Sequence, residues 1–341
     1  MPSRRLVLAG LSALPALPGM VRAQDRVLNI YSARHYDTDR TLYDGFTAAT
    51  GIRTRLIEAP ADQLIERIRA EGRNSPADVL ITVDASRLER AREAGVLQAV
   101  RSPALDERVP SWLRDPGGHW YGISKRIRVL FHDRARPLPP GLARYEDLAR
   151  PEFRGAVLTR SSSNIYSIGW TASMIAANGV EATEGWARGV VANLARPPSG
   201  GDTDQIRAMA AGQGAVAVAN TYYWGLLARS ERTEDRAVAE RTALLWPNQA
   251  DRGAHANVSG VGVVAGAPNR QAAVQFLEYM TEPAAQRLFA DGNMEYPVVP
   301  GTPVHPLLLS LGEFREDPIN AGRLQANAAE ALRVMQRAGW R

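Results

Sequence analysis

Strand-length apolar runs and helix-length amphipathic stretches alternate along the chain, stop at a proline-rich segment, and begin again. Val27-Leu28-Asn29-Ile30-Tyr31 reads as a short strand, and a helical spacing through Leu42, Phe46 and Ala49 follows it. Residues 52–57 predict the next strand, 63–70 a helix, Val79-Leu80-Ile81 a buried strand, and 86–94 a helix stopped by Gly95. Such alternation favours a mostly parallel sheet, because parallel neighbours need crossover connections that helices supply. Val129-Leu130-Phe131 and the segment before it read as strands leaving this first unit, and the proline-rich residues 136–141 mark a surface connection. A second series then predicts strands at 156–159 and 215–219 and helices at 165–178, 184–194 and 203–211. Residues 258–265 add a strand, 270–279 and 283–290 a helical pair, and the Ala-rich tail after His305 a helix that packs back on the second unit. The expected fold class is therefore α/β with two lobes, a hinge and an interlobe cleft. Residues 24–125 and 250–300 would form the first lobe, and 126–249 and 301–341 the second.

The address comes from the start of the chain. Arg4-Arg5, an apolar stretch from Leu6 to about Pro18, and Val21-Arg22-Ala23 read together as a secretory signal peptide over residues 1–23, cleaved near Ala23. The run Ser3-Arg4-Arg5-Leu6-Val7-Leu8 fits a Sec or a twin-arginine export route. The apolar run is short for a membrane helix, which needs about 18 uninterrupted apolar residues. A soluble, exported product in the periplasm is expected. About 318 of the 341 residues would remain, more than one core usually supports, which again favours two lobes. Two α/β lobes joined by strands in an exported protein describe a periplasmic solute-binding protein that closes around its ligand.

Composition removes several function classes. With no cysteine, disulfides, thiolate metal sites and thiol nucleophiles are all excluded, so any metal takes oxygen and nitrogen ligands. The formal charge of +5 falls to +2 once Arg4, Arg5 and Arg22 leave with the leader, and Lys125 is the only lysine. No dense basic block with interleaved aromatics marks a nucleic-acid surface. No Gly-x-Ser-x-Gly elbow supports an exported hydrolase.

The tyrosines carry the chemistry. In open α/β sheets, ligands bind beyond the carboxyl ends of the strands. His35-Tyr36 follows the first strand, Tyr166 follows the strand at 156–159 and the turn Ser161-Ser162-Ser163, and Tyr222-Tyr223 follows the strand at 215–219. A phenolate oxygen is a hard anionic donor that suits a small, highly charged cation such as ferric iron. Tyr31, Tyr43, Tyr121, Tyr145, Tyr279 and Tyr296 read as packing residues, and His119, His132, His255 and His305 lack the short spacing of a zinc site. Gly260-Val261-Gly262 reads as strand rather than as a dinucleotide-binding turn. A serine turn with helix-start amides also fits an oxyanion-binding protein for phosphate, sulfate or molybdate, and an aromatic cage fits an organic cation.

The runs Ile30-Tyr31-Ser32-Ala33-Arg34-His35-Tyr36, 160–166, Gly200-Gly201-Asp202-Thr203-Asp204-Gln205-Ile206-Arg207 and Ala219-Asn220-Thr221-Tyr222-Tyr223 resemble the ferric-iron-binding proteins of bacterial ABC iron importers, including their cyanobacterial branch. The similarity spans about Val27 to Pro300. It implies a monomer, not an enzyme, that carries Fe(III) to an inner-membrane permease and its ATPase. It implies metal ligation by Tyr222, Tyr223, Tyr166, His35 and Tyr36, with carbonate as a candidate synergistic anion. Four phenolates and one neutral imidazole around Fe(III) sum to a formal charge of −1, and an outer arginine would offset the excess. Arg126 and Arg128 both qualify, and strand alternation puts them on one face, so the sequence does not choose between them.

Overall fold

The computed structural model describes residues 27–138 and 140–341; the leader expected at residues 1–23 lies outside the described residues. In chain order the strands are β1 (Val27–Ser32), β2 (Arg53–Glu58), β3 (Val79–Thr82), β4 (Leu97–Gln98), β5 (Tyr121–Asp133) and β6 (Val157–Leu158). They continue as β7 (Val216–Asn220), β8 (Thr242–Leu245), β9 (Ala254–Val264), β10 (Tyr296–Pro297) and β11 (Glu316–Asp317). The main path of the curled sheet runs β2-β1-β3-β9-β5-β7-β6.

The pairing is more mixed than a βα alternation predicts. β2-β1-β3 is parallel, and so is β6-β7, but β5 and β9 run antiparallel to all their main-path neighbours. These two long strands cross between the lobes, so they enter each sheet from the far side. β5 pairs with β9 from Tyr121 to Ile127, then with β7 from Arg128 to His132. The change of partner falls between adjacent residues.

Side-chain alternation accounts for a core on each face of each sheet. Leu28 and Ile30 of β1 pack with Phe46, Val79, Ile81, Phe276 and Phe289, while Tyr31 packs with Ile65, Leu80, Leu88 and Trp120 on the other face. In the second lobe Ile127, Val129 and Phe131 of β5 meet Ala217, Ala219, Met209 and Trp224, and Leu130 meets Val216, Val218 and Trp170 on the opposite face. Trp170 stands edge-on to Trp186 and Trp340 at centroid separations of 4.9 and 6.0 Å, contacts worth roughly 1 kcal/mol each beyond their buried area.

The tail does more than pack back on the second lobe. Its helix, Ala321–Arg337, lies along the helices Ile165–Asn178 and Val180–Ala192, and its start also abuts Ala85–Glu93 of the first lobe. Ala321 is buried in the first-lobe cluster, and Leu324 in the second. Beyond the helix, Trp340 Nε1 donates to the Arg160 carbonyl at 2.9 Å, just before the turn that leads to Tyr166.

Candidate metal centre

The strand-to-helix junctions deliver the phenols to one place. Tyr166 is the second residue of the helix Ile165–Asn178, whose N-cap Asn164 accepts from the Tyr166 amide at 3.0 Å through its side chain. Tyr222 and Tyr223 occupy the first turn of the helix Thr221–Ala228, directly after β7. The Ile127 amide donates to Thr221 Oγ1 at 3.3 Å and ties that helix start to β5. Tyr36 lies on the loop between β1 and the helix Asp39–Thr50, where its carbonyl accepts from the Asp39 amide at 2.9 Å.

Tyr222 is the hub. Its hydroxyl lies 3.4 Å from that of Tyr36 and 3.5 Å from that of Tyr166. The ring of Tyr223 lies tilted against that of Tyr222 with centroids 3.9 Å apart, and the two consecutive residues share the opening turn of a helix. Tyr166 and Tyr222 are buried, and Tyr36 and Tyr223 are half-buried.

Burial pushes all four phenols above their ordinary ionisation range. For Tyr36 and Tyr222 the next cause is repulsion from a neighbouring phenolate, and for Tyr166 the next is the opposing pull of Arg126. Without a cation the phenols therefore stay neutral at neutral pH, and each ionised neighbour makes the next ionisation harder. A trivalent ion reverses that balance by attracting every phenolate at once. Among the described residues no group of three or more His, Cys, Asp or Glu side chains offers a rival metal cage.

The loop after β1 separates His35 from Tyr36. With Tyr36 turned inward, His35 faces solvent, its side chain 56 % exposed and its Nδ1 3.8 Å from Glu58 Oε1. The structure does not bring His35 to the phenols. It does separate the two arginines. Arg126 lies 5.8 and 5.9 Å from the ring centroids of Tyr222 and Tyr166, whereas Arg128 Nη1 donates to Asp202 Oδ2 at 2.6 Å. The two residues share a face of β5, but the change of strand partner between them sends one to the phenols and the other into the second lobe.

Several neighbours carry no sequence signal of their role. Arg34, inside the same run as His35 and Tyr36, places its guanidinium 4.7 Å from the Tyr36 ring centroid and donates to Asp39 and Glu295. Arg160 lies 5.7 Å from the Tyr166 ring centroid. Across the cleft, Arg229 donates to the carbonyls of Asp291 and Gly292, which end the helix Pro283–Asn293. On the same side Gly225 packs so tightly that a Cβ there would lie 2.8 Å from Met294 Cβ.

Several groups that an oxyanion would use have partners within the protein. The Ser162 amide donates to the Arg341 carbonyl at 3.3 Å, and the hydroxyls of Ser161 and Ser163 lie 3.2 Å from each other. Both terminal nitrogens of Arg126 donate to protein acceptors: Nη1 to Glu295 at 2.8 Å, and Nη2 to Asn257 at 2.7 Å and to the Val83 carbonyl.

This two-lobed α/β architecture, with phenols of both lobes converging on one point, is that of a solute-binding protein, and residues 74–310 match the model of that family, described as bacterial extracellular solute-binding protein. The chain belongs to this family. It is 49 % identical to iron uptake protein A2 of Synechocystis sp., over 99 % of this chain and 98 % of that protein. A solved structure of the Trichodesmium protein IdiA (FutA) in complex with iron and citrate ligands superposes with a TM-score of 0.88 at 49 % identity, covering 92 % of this chain and 100 % of that one. The ferric binding protein from Campylobacter jejuni superposes equally well, with a TM-score of 0.88 at 39 % identity over 92 % of this chain and 100 % of that one.

Proposed function

We propose that the chain is a periplasmic carrier that binds Fe(III) between its lobes on the phenolates of Tyr36, Tyr166, Tyr222 and Tyr223 and delivers it, as a monomer, to an ABC permease and its ATPase. The observation that carries this reading is the convergence of phenol hydroxyls on Tyr222 from three separate strand-to-helix junctions. Iron is the cargo of the relatives named above, and hard anionic oxygens with no thiolate available match its ferric form. Tyr166, Tyr222 and Tyr223 belong to one lobe and would take the ion first; Tyr36 would join as the lobes meet. His35 stands outside this ligand set, and no synergistic carbonate is needed to complete four anionic donors.

Release follows from protonating the phenolates, from reduction to Fe(II), which phenolates hold less strongly, or from opening of the lobes on the permease. The test is a ferric titration of the chelator-stripped mature protein, read by the visible phenolate-to-iron charge-transfer band. A coloured one-to-one complex that is lost in Tyr222→Phe is the expected result. A colourless protein that instead takes up sulfate or molybdate, with no dependence on Tyr222, would return the oxyanion reading.

A further inference from the structure

A carboxylate without any sequence motif lies at the centre of the charges around the phenols. Glu295 follows Met294, whose φ of 56° turns the chain out of the helix Pro283–Asn293, and it precedes β10, which pairs with Ser124 and Lys125 of β5. Its side chain is fully buried. Oε2 accepts from Arg34 Nη2 at 2.9 Å, while Oε1 accepts from Arg126 Nη1 at 2.8 Å and from Arg34 Nη1 at 3.3 Å.

The two guanidiniums on this one carboxylate serve different parts of the cluster. Arg34 lies against Tyr36 of the first lobe, and Arg126 against Tyr166 and Tyr222 of the second. Arg34 is further held by Asp39 at 2.8 and 3.1 Å, by Ser259 at 2.7 Å and by Ser124 at 3.2 Å. Arg126 is further held by Asn257 and by the Val83 carbonyl, so it is anchored from β9 and the first lobe although it faces phenols of the second. Burial opposes the charge on each member, and its neighbours outweigh it: Asp39 and then Glu295 hold Arg34 above its ordinary range, Tyr166 and then Glu295 do the same for Arg126, and the two arginines hold Glu295 below the usual carboxylate range. Two cations and two anions, Asp39 and Glu295, make the buried group neutral.

We propose that Glu295 is a positioning residue for the metal site: its single carboxylate holds two guanidiniums against the phenols of both lobes and keeps the surrounding charge neutral. This rests on the ferric-phenolate reading above. Four phenolates give the ferric complex a net negative charge, reduction adds a further one, and Arg34 and Arg126 are already balanced by Asp39 and Glu295. The site thereby favours Fe(III). Removing the charge of Glu295 leaves one uncompensated guanidinium, which stabilises the ferrous complex more than the ferric one.

The test compares Glu295→Gln, Arg34→Gln and the double variant. In the iron-loaded protein, followed by spectroelectrochemistry of the charge-transfer band, Glu295→Gln is expected to raise the reduction potential and narrow the preference for Fe(III) over Fe(II) by roughly tenfold. Arg34→Gln is expected to move the potential the other way, and the double variant to return close to wild type. Equal-direction shifts in the two single variants, as misfolding alone would produce, overturn the proposal. In the iron-free protein, both single variants should lower the unfolding temperature, and the double variant by less than the sum, because it removes both partners of a buried pair. Additive losses overturn the bridge. A wild-type protein that forms no coloured complex sinks the functional reading and the redox part of this proposal together, and the iron-free cycle still decides whether Glu295 and Arg34 act as a buried pair.

Discussion

Tyr166, Tyr222 and Tyr223 are carried by the first turns of two helices, whereas Tyr36 hangs on a loop of the other lobe. The second-lobe phenols inherit their positions from regular backbone: an Asn164 cap fixes one helix start, and Thr221 stitches the other to β5. Tyr36 precedes its helix, tied to it by its carbonyl, and its ring lies against Arg34, itself held by Asp39 and Glu295. One lobe offers three phenols set on helix starts; the other offers one phenol on a loop. On the proposed reading, capture and enclosure of the ion fall to different parts of the chain.

The sharpest way to break this contrast is Tyr222→Phe, which removes the hub. A loss of ferric affinity of more than about a hundredfold is expected by chelator competition, exceeding what outer-shell changes cost, with Tyr223→Phe close behind. Tyr36→Phe should cost less, about tenfold, and should leave a coloured complex with a faster release rate, because the second-lobe face survives. Equal losses for Tyr36→Phe and Tyr222→Phe would erase the division of labour.

Acidity supplies an intermediate test. The four phenols are neutral in the iron-free protein at neutral pH, since burial raises them above an ordinary value of 10.0, so binding must expel their protons. Titration in weak buffer should release about four protons per ferric ion, and about three in Tyr36→Phe, so affinity falls as pH falls. The same shifts set the alkaline limit of the iron-free fold. A phenol whose folded value is raised binds its proton more tightly in the native state, so its stabilising share is complete below about pH 10 and is lost as pH rises through the folded value. Chemical denaturation above that pH should show wild type losing stability more steeply than Tyr222→Phe. The smallest effect is expected for His35→Ala, with ferric affinity within about twofold of wild type, because its imidazole faces Glu58 and solvent.

The phenols and their junctions are legible in the sequence because strands ending in helices expose the same edge of a sheet whatever their order. Gly260-Val261-Gly262 likewise reads as strand and is one, within β9. Mixed pairing is not legible: alternation of element types says nothing of a strand that crosses into a second sheet, and β5 and β9 do so antiparallel to their neighbours. The choice between Arg126 and Arg128 is hidden for the same reason, since their shared face divides where β5 changes partner. His35 and Tyr36 stand together as candidates because adjacency in sequence is not adjacency in the fold. Glu295 is invisible: a single carboxylate between Met294 and Tyr296 has no pattern, and only the folded chain brings it to Arg34 and Arg126.

How near the lobes approach is decided partly by an atom that glycine lacks. Gly225 rides on the helix that carries Tyr222 and Tyr223, and its bare Cα faces Met294 at the edge of the opposite lobe. A methyl group there would work as a doorstop, wedging the jaws ajar and holding Tyr36 away from the three phenols of the second lobe. For the proposed carrier, the grip on the ion depends on clearance as much as on chemistry.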